Sequence, residues 1–161
     1  MELLAYTDSD YAGDLEDRKS TSGFLFVLSS GAVSWSLKKQ PVVTLSTTEA
    51  EFITAASCAC QAVWLRRMLE KLDHASAGTT IIYCNNSYTI KLSKNPVMHG
   101  RSKHIDVCFH FLRDLTRDGV VALLHCRSQE QLDDIMTKPL PRVVFEKLRM
   151  LMGVYEDPEV N

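Results

Sequence analysis

A helix-start signal at residues 46–49 divides the chain into two parts with different patterning. Ser46-Thr47-Thr48-Glu49 matches the capping box, in which a Ser and a Glu side chain satisfy free backbone amides at a helix start. Apolar residues then recur at helical spacing as far as about Leu72. Three strand patterns precede the box, at 3–8, 23–28 and 32–36, the last two joined by a Ser-Ser-Gly turn. We therefore expect three antiparallel strands followed by a long helix.

Strand and helix patterns alternate in the rest of the chain. An apolar run at 80–84 predicts a buried strand, and a short helix at 87–94 should end at Asn95-Pro96, because a proline disfavours helical backbone in the residue before it. A helix at 105–117 and a strand at 120–126 are predicted next. Residues 128–131 repeat the capping pattern and predict a last helix that must stop before Pro139. The order β-β-β-α-β-α-α-β-α predicts an α/β fold in which helices cover a mixed sheet.

Length and composition limit the chain to one main folded unit. The 161 residues are 45% hydrophobic, which excludes a disordered or collagen-like protein. No linker divides them, and we expect a domain at 1–140 followed by a helical appendix and tail at 141–161. No apolar run approaches the ~20 residues of a membrane span, and the N-terminus lacks the basic region of a secretory signal. Five cysteines without a CxxC pair predict reduced thiols in a cytoplasmic or nuclear protein.

Charge is unevenly distributed, although the net charge is only −2. Five acids lie between Asp8 and Asp17, whereas six bases and two acids lie between Lys91 and Arg117. The small net charge argues against a histone-like protein. The basic segment fits either a surface for an anionic partner or a solvated helix face, and charge alone does not separate the two.

Acids lie at several positions where strands or helices begin or end, which is where α/β sheets place ligand sites. Asp8 ends the first predicted strand, Glu51 lies in the first turn of the long helix, and Asp133 and Asp134 lie in the first turn of the last helix. Taken singly, each has a simpler explanation, because acids near a helix N-terminus complement its dipole. The capping box uses Glu49, which leaves Glu51 for a site, whereas spacing does not separate Asp133 from Asp134.

Carboxylates that converge on one cleft need cations, because they cannot all stay ionised side by side. Oxygen ligands select hard ions such as Mg or Mn. Two such ions about 3.5–4 Å apart support phosphodiester cleavage by stabilising the attacking and leaving oxygens. The acids therefore fit a two-metal phosphodiesterase if they meet in space.

Longer motifs around these acids carry a family resemblance. The motifs are YTDSDYAG at 6–13, DRKSTSG at 17–23, SWSLKKQ at 34–40, STTEAEF at 46–52, KHID at 103–106 with His110-Phe111, and DDIMTKPL at 133–140. Together they resemble the ribonuclease H domain of copia-type (Ty1/copia) plant retrotransposon polyproteins, over residues 3 to about 153. The resemblance implies a ribonuclease H-like α/β fold, a five-stranded mixed sheet with three antiparallel strands and then two parallel ones, and helices on both faces.

The resemblance also implies a site and a reaction. Asp8, Glu51 and Asp134 match the family's catalytic metal ligands, Asn85 stands at the position of a fourth, and two divalent ions, Mg or Mn, are implied. The implied reaction is cleavage of RNA within an RNA–DNA hybrid, leaving a 3′-hydroxyl and a 5′-phosphate. Nothing in the residues excludes double-stranded RNA as a second substrate, because its RNA strand presents much the same groove.

Position 85 departs from the family pattern. The family has an acid there, in a Cys-Asp-Asn-like motif, whereas this chain has Cys84-Asn85-Asn86. A neutral amide offers one carbonyl oxygen, so one metal should bind more weakly.

Three functions stay open: an active endoribonuclease, a non-cleaving duplex-binding module, and an interaction domain that kept only the scaffold. With no polymerase attached, the chain is expected to be an isolated domain or a stand-alone gene derived from such an element.

A duplex across an acidic site must be held by bases around it, because phosphate contacts dominate nucleic-acid affinity. Recognition is expected to depend on duplex shape and the 2′-hydroxyl rather than on base sequence. The predicted phosphate-binding bases are Arg18, Lys19, Lys38, Lys39, Arg101 and Lys103, and the predicted neutral contacts are Thr47, Thr48 and Asn86.

Overall fold

Five strands form one sheet, and their order places the first strand at its centre. The computed structural model describes residues 2–74, 78–95 and 103–156, with the side chains of 103–105 outside that description. The strands are β1 (Leu3–Asp10), β2 (Thr21–Leu28), β3 (Gly31–Lys39), β4 (Thr80–Cys84) and β5 (Val121–His125). β1, β2 and β3 are antiparallel, and β4 and β5 run parallel to β1, in the order β3-β2-β1-β4-β5. This topology confirms the predicted five-stranded mixed sheet.

Helices connect the strands and cover both faces of the sheet. They are α1 (Thr47–Lys71), α2 (Ser87–Lys94), α3 (Lys103–Arg117), α4 (Asp134–Thr137) and α5 (Arg142–Leu151). The first three begin and end within two residues of their predicted bounds. No helix in the described part of the chain combines the length and hydropathy that a membrane crossing requires.

The N-terminus of α1 is capped much as its sequence predicts. Oγ of Ser46 accepts a hydrogen bond from the amide of Glu49 at 3.2 Å. The Glu49 carboxylate accepts in return from the amide of Leu45 at 2.6 Å, one residue earlier than in the standard capping box. Glu49 is thus occupied outside the carboxylate site, and α1 begins at a defined residue.

The prediction of one helix starting at Ser128 is wrong. A 3₁₀ turn at Ser128–Glu130 is followed by extended backbone at Gln131, and α4 begins only at Asp134. The cause is a tertiary contact, because the buried Gln131 side chain donates to the backbone carbonyl of Thr7 at 2.6 Å. This bond fixes Gln131 against β1 and interrupts the helical path.

The two faces of the sheet bury separate apolar clusters. Neighbouring residues of a strand point to opposite faces, so Phe26 packs under α1 and α3, whereas Leu25 packs with Leu148 of α5. On the first face, the rings of Phe52 and Phe109 stack with their centroids 4.0 Å apart. Helices therefore lie on both faces, as predicted. The expected domain boundary at residue 140 stays a prediction, although α5 contributes Leu148 to the second cluster.

Asp133 is buried between α4 and the sheet. Its side chain lies against Gly23 of β2, where a Cβ would come within 2.8 Å of Oδ2. Neither carboxylate oxygen has a hydrogen-bond partner among the described residues. Burial, and secondly the charge of Asp8, raise the pKa of Asp133 well above its usual value. The nearby Asp8 amide lowers this pKa, although its geometry falls short of a hydrogen bond. Ionised Asp133 is therefore a source of instability.

We predict that Leu148→Ala lowers the free energy of unfolding by about 2–5 kcal/mol, because the side chain is only 1% exposed and its loss leaves a cavity. Leu151→Ala is the matched control on the same helix, since Leu151 is 52% exposed and should cost less than about 0.5 kcal/mol. Urea denaturation measures both. An equally small effect of the two changes would show that α5 is an appendix that the domain does not need.

We predict that Asp133→Asn stabilises the fold by about 1–3 kcal/mol at pH 8, because it removes a buried carboxylate without partners. The pKa of Asp133 is higher in the folded than in the unfolded state, so its ionisation lowers stability as pH rises above about 4. The gain should accordingly shrink as pH falls toward 4. Thermal unfolding in EDTA across this pH range tests it, with the exposed Asp118→Asn as control. A destabilised Asp133→Asn protein would contradict the prediction.

Candidate active site

One cleft collects side chains from the ends of separate strands and helices. Asp8 lies near the end of β1, and Asn85 directly follows β4. Because Thr7 and Cys84 are paired in the parallel ladder, the residues after them are neighbours. Glu51 is the fifth residue of α1, at the start of its second turn rather than in the first. The cleft has a volume of about 560 Å³ and is lined by Asp8, Ser9, Asp10, Tyr11, Thr47, Glu51, Asn85, Asn86, Ser87, Tyr88, Ser128 and Lys138.

Asp8 is buried and accepts hydrogen bonds from three side chains. Nδ2 of Asn85 donates to Oδ1 at 3.1 Å. Nζ of Lys138 lies 3.2 Å from Oδ1 and 3.1 Å from Oδ2, and the Thr137 hydroxyl donates to Oδ2. A carboxylate can only accept, so Asn85 presents its amide nitrogen to Asp8. The Asp8 carboxylate is therefore held in one orientation from several directions.

Lys138 links Asp134 to the cleft. Its Oδ1 lies 2.8 Å from Nζ of Lys138, four residues later, so one ammonium joins Asp134 to Asp8. Burial raises the pKa of Asp134, against the opposing effect of Lys138. Partial burial alone would lower the pKa of Lys138, but its hydrogen bonds to Asp134 and Asp8 and their charges raise it. This contact also separates the two adjacent acids, since Asp134 faces Lys138 whereas Asp133 packs against Gly23.

Glu51 has one satisfied and one unsatisfied oxygen. Oε1 accepts from the Ser9 amide at 3.2 Å, whereas Oε2 is buried without a partner among the described residues. Burial, and secondly the charge of Asp8, raise the pKa of Glu51 to about 8. A buried oxygen without a partner costs free energy, and a bound cation would compensate for it.

The donor set fits hard divalent ions. Three carboxylates and the Asn85 amide supply oxygens, which are the ligands that Mg and Mn prefer, and the free Glu51 oxygen is suited to a cation. As they are placed, no three His, Cys, Asp or Glu side chains in the described ranges lie close enough to hold one ion. Lys138 instead bridges two of the three acids.

The predicted neutral contacts lie at or near the cleft wall. Thr47 and Asn86 line the cleft, at the N-termini of α1 and α2. The Asn86 side-chain oxygen caps α2 by accepting from the amides of Tyr88 and Thr89, each at 3.0 Å. The backbone carbonyl of Thr48 accepts from the Thr89 hydroxyl at 3.3 Å. Their contact with nucleic acid stays a prediction.

Of the predicted phosphate-binding bases, the four whose side chains the structure describes do not line this cleft. Lys39 pairs with Asp14 and, at 3.4 Å, with Asp17, which also lies 3.5 Å from Lys19. Lys38 and Lys39 line a separate pocket beside Gln40 and Pro41. Arg18 is exposed. Arg101 and the side chain of Lys103 lie outside the described residues. Phosphate contact by these bases stays a prediction, and Lys19 and Lys39 already have acidic partners.

Sequence reasoning missed Lys138 and Thr137, although both stand in a motif with Asp134. The spacing of Asp134 and Lys138 was the available signal, because an acid and a base four residues apart on a helix commonly pair. The contacts of both residues with Asp8 had no such signal, since about 130 residues separate them in the chain.

Comparisons with known proteins agree with this fold. No family model matches the chain. The chain is 41% identical over 155 residues to the retrovirus-related Pol polyprotein from transposon TNT 1-94 of Nicotiana tabacum, covering 96% of this chain and 12% of that protein. It thus spans about one-eighth of the length of this relative.

Two solved structures share the fold at low identity. The N-terminal ribonuclease H domain of a Mycobacterium tuberculosis protein superposes with a TM-score of 0.60 at 9% identity, covering 92% of this chain and 96% of that one. LC11-RNase H1, solved in complex with an RNA/DNA hybrid, gives 0.55 at 11% identity, covering 81% and 88%. The chain is therefore homologous to a segment of plant retrotransposon Pol polyproteins and has the ribonuclease H fold.

Proposed function

We propose that this chain is a metal-dependent endoribonuclease of the ribonuclease H type, which cleaves RNA within a duplex. One observation carries the proposal: Asp8 and Glu51, from two separate elements, line one cleft, and Lys138 links Asp134 of a third element to Asp8 there. The solved complex of LC11-RNase H1 with an RNA/DNA hybrid supports an RNA-containing duplex as substrate. Such a site needs no base-specific contacts, because a duplex of this kind is recognised by its shape.

Asp8, Glu51, Asp134 and the carbonyl oxygen of Asn85 would hold two Mg or Mn ions. When bound, such ions activate a water and stabilise the leaving oxygen of a phosphodiester. The protein's part is to orient the ligands. The Ser9 amide fixes one oxygen of Glu51 and leaves the other free, and Asn85 and Thr137 fix the Asp8 carboxylate.

The cleft wall also suits a phosphate. The N-termini of α1 and α2 both open at the cleft, where Thr47 and Ser87 stand. The positive end of the helix dipole favours an anion at such positions, although the Ser46 and Asn86 side chains already accept from some of the first-turn amides. A phosphate of the duplex backbone would therefore be attracted to this part of the cleft wall without any contact to a base.

Asn85 changes the charge balance of the site. An aspartate at this position would stand about 3 Å from Asp8 and repel it, whereas the amide donates a hydrogen bond to it at 3.1 Å. Compared with an aspartate at position 85, the asparagine therefore makes the cation-free site more stable and lowers its affinity for divalent ions. We expect slow cleavage, with Mn preferred over Mg because Mn tolerates a poorer ligand set.

We predict that Asp8→Asn lowers the cleavage rate by at least about 100-fold, because it removes a charged ligand of the metal ions that would stabilise the reacting phosphate. The assay uses labelled RNA–DNA hybrid and double-stranded RNA with Mg or Mn, and circular dichroism verifies the fold. Glu49→Gln is the matched control, since the Glu49 carboxylate accepts from the Leu45 amide and Gln can still accept there. Undiminished cleavage by Asp8→Asn would show that the assigned site is wrong.

We predict that Asn85→Asp raises the cleavage rate by more than about tenfold, a barrier difference of about 1.4 kcal/mol, while duplex affinity changes little. The added carboxylate should strengthen one metal site where charge develops in the reaction. Single-turnover kinetics and a binding titration separate the two effects. If Asn85→Asp leaves the rate unchanged while Asp8→Asn abolishes it, another residue supplies the ligand. If neither protein cleaves but both bind duplex, the chain is a binding module.

A further inference from the structure

Lys138 contacts Asp8 and Asp134, two of the three carboxylates that the proposed function assigns to metal ions, and the inference below rests on that function. We propose that Lys138 is an internal counter-cation that competes with a divalent ion for Asp8 and Asp134. Loading of the metal site then requires the ammonium to leave both carboxylates. Lys138 is thus a positioning residue that sets how tightly the site binds metal.

The first support is the geometry of the ammonium. Nζ lies 2.8 Å from Oδ1 of Asp134, and 3.2 Å and 3.1 Å from the two oxygens of Asp8. A lysine ammonium has three donors and no acceptor, so these three oxygens match its whole bonding capacity. The contact set is that of a bound cation and not of a loosely associated surface lysine.

The second support is access. The Asp134 side chain is 9% exposed and does not line the cleft, whereas the Lys138 side chain is 41% exposed and does. A cation that enters through the cleft therefore meets Lys138 before it meets Asp134. Asp134 becomes available to it only when the lysine side chain moves.

The third support is mutual exclusion. Mg binds carboxylate oxygens at about 2.0–2.1 Å, and an ammonium hydrogen-bonded to the same oxygens would then lie only about 3–4 Å from a doubly charged ion. Repulsion at that distance outweighs what the ammonium gains from oxygens that the ion already neutralises. Lys138 caps the C-terminus of α4 in extended backbone, and its four-carbon stem can swing toward solvent without unfolding the helix.

A purely structural role makes a different prediction. If Lys138 only neutralises buried acids, its loss should destabilise the protein, and metal affinity should stay unchanged or fall with the fold. If Lys138 competes with metal, its loss should destabilise the metal-free protein and tighten metal binding. Metal affinity therefore separates the two roles, and cleavage activity is not needed to do so.

The test measures Mn binding by calorimetry, without nucleic acid, in the wild type, Lys138→Met and Lys138→Arg. We expect Lys138→Met to bind Mn at least about tenfold more tightly, since an opposing charge near the ion is removed. Its melting temperature should be lower in EDTA and should rise more with Mn than that of the wild type. Lys138→Arg should restore weak binding, and the exposed Lys147→Met is the matched control.

An unchanged or weaker Mn affinity of Lys138→Met would overturn the inference. If that variant does not fold without metal, acetylation of the wild type gives a second measurement, read by mass spectrometry. Mn should increase the acetylation of Lys138 severalfold and leave Lys147 unchanged, and equal reactivity with and without Mn would also overturn the inference. Should the wild type, Lys138→Met and Asn85→Asp all fail to bind Mn, the proposed function itself fails.

Discussion

The parallel pairing of β1 with β4 is the constraint on which the site depends. It brings the ends of two strands together, so Asp8 and Asn85 become neighbours although 77 residues separate them. The Gln131 side chain donates a hydrogen bond to the Thr7 carbonyl of β1, and this bond holds the segment with Asp134 at the same end of the sheet. α1 packs on the sheet face beside β1 and places Glu51 in the cleft. The three acids belong to different elements, and the two elements other than β1 are positioned by contacts with it.

The electrostatics of the site follow from this convergence. Acids that lie together in a poorly hydrated space repel one another, and the fold offsets this repulsion unevenly. Asp8 and Asp134 share Lys138, and Asp8 also has Asn85 and Thr137 as donors. Glu51 keeps one oxygen without a partner. The cluster is thus partly compensated, and its remaining negative charge favours cations.

Local patterns predicted the local features well. Alternation and helical periodicity located the five strands that the structure describes and its helices as far as α3, and the capping box correctly set Glu49 apart from Glu51. A tertiary contact accounts for the failure: the Gln131 bond to Thr7 interrupts a helix that the capping pattern predicted. The ion pairs of Lys39 with Asp14 and Asp17 had no local signal either, and phosphate contact by Lys39 stays a prediction. Asp133 and Asp134 share one local pattern, and only packing against Gly23 or Lys138 distinguishes them.

The bond between Gln131 and Thr7 spans 124 positions of the chain, and this has a consequence for the order of folding. Closing so long a loop costs more chain entropy than forming the hairpin of β2 and β3 or the first turns of α1. Contacts of high sequence separation also form slowly. Residues 2–130 contain all five strands of the described sheet and most of the apolar residues that cover it, but not Asp134. The acid cluster is therefore completed only after the scaffold that holds it has formed.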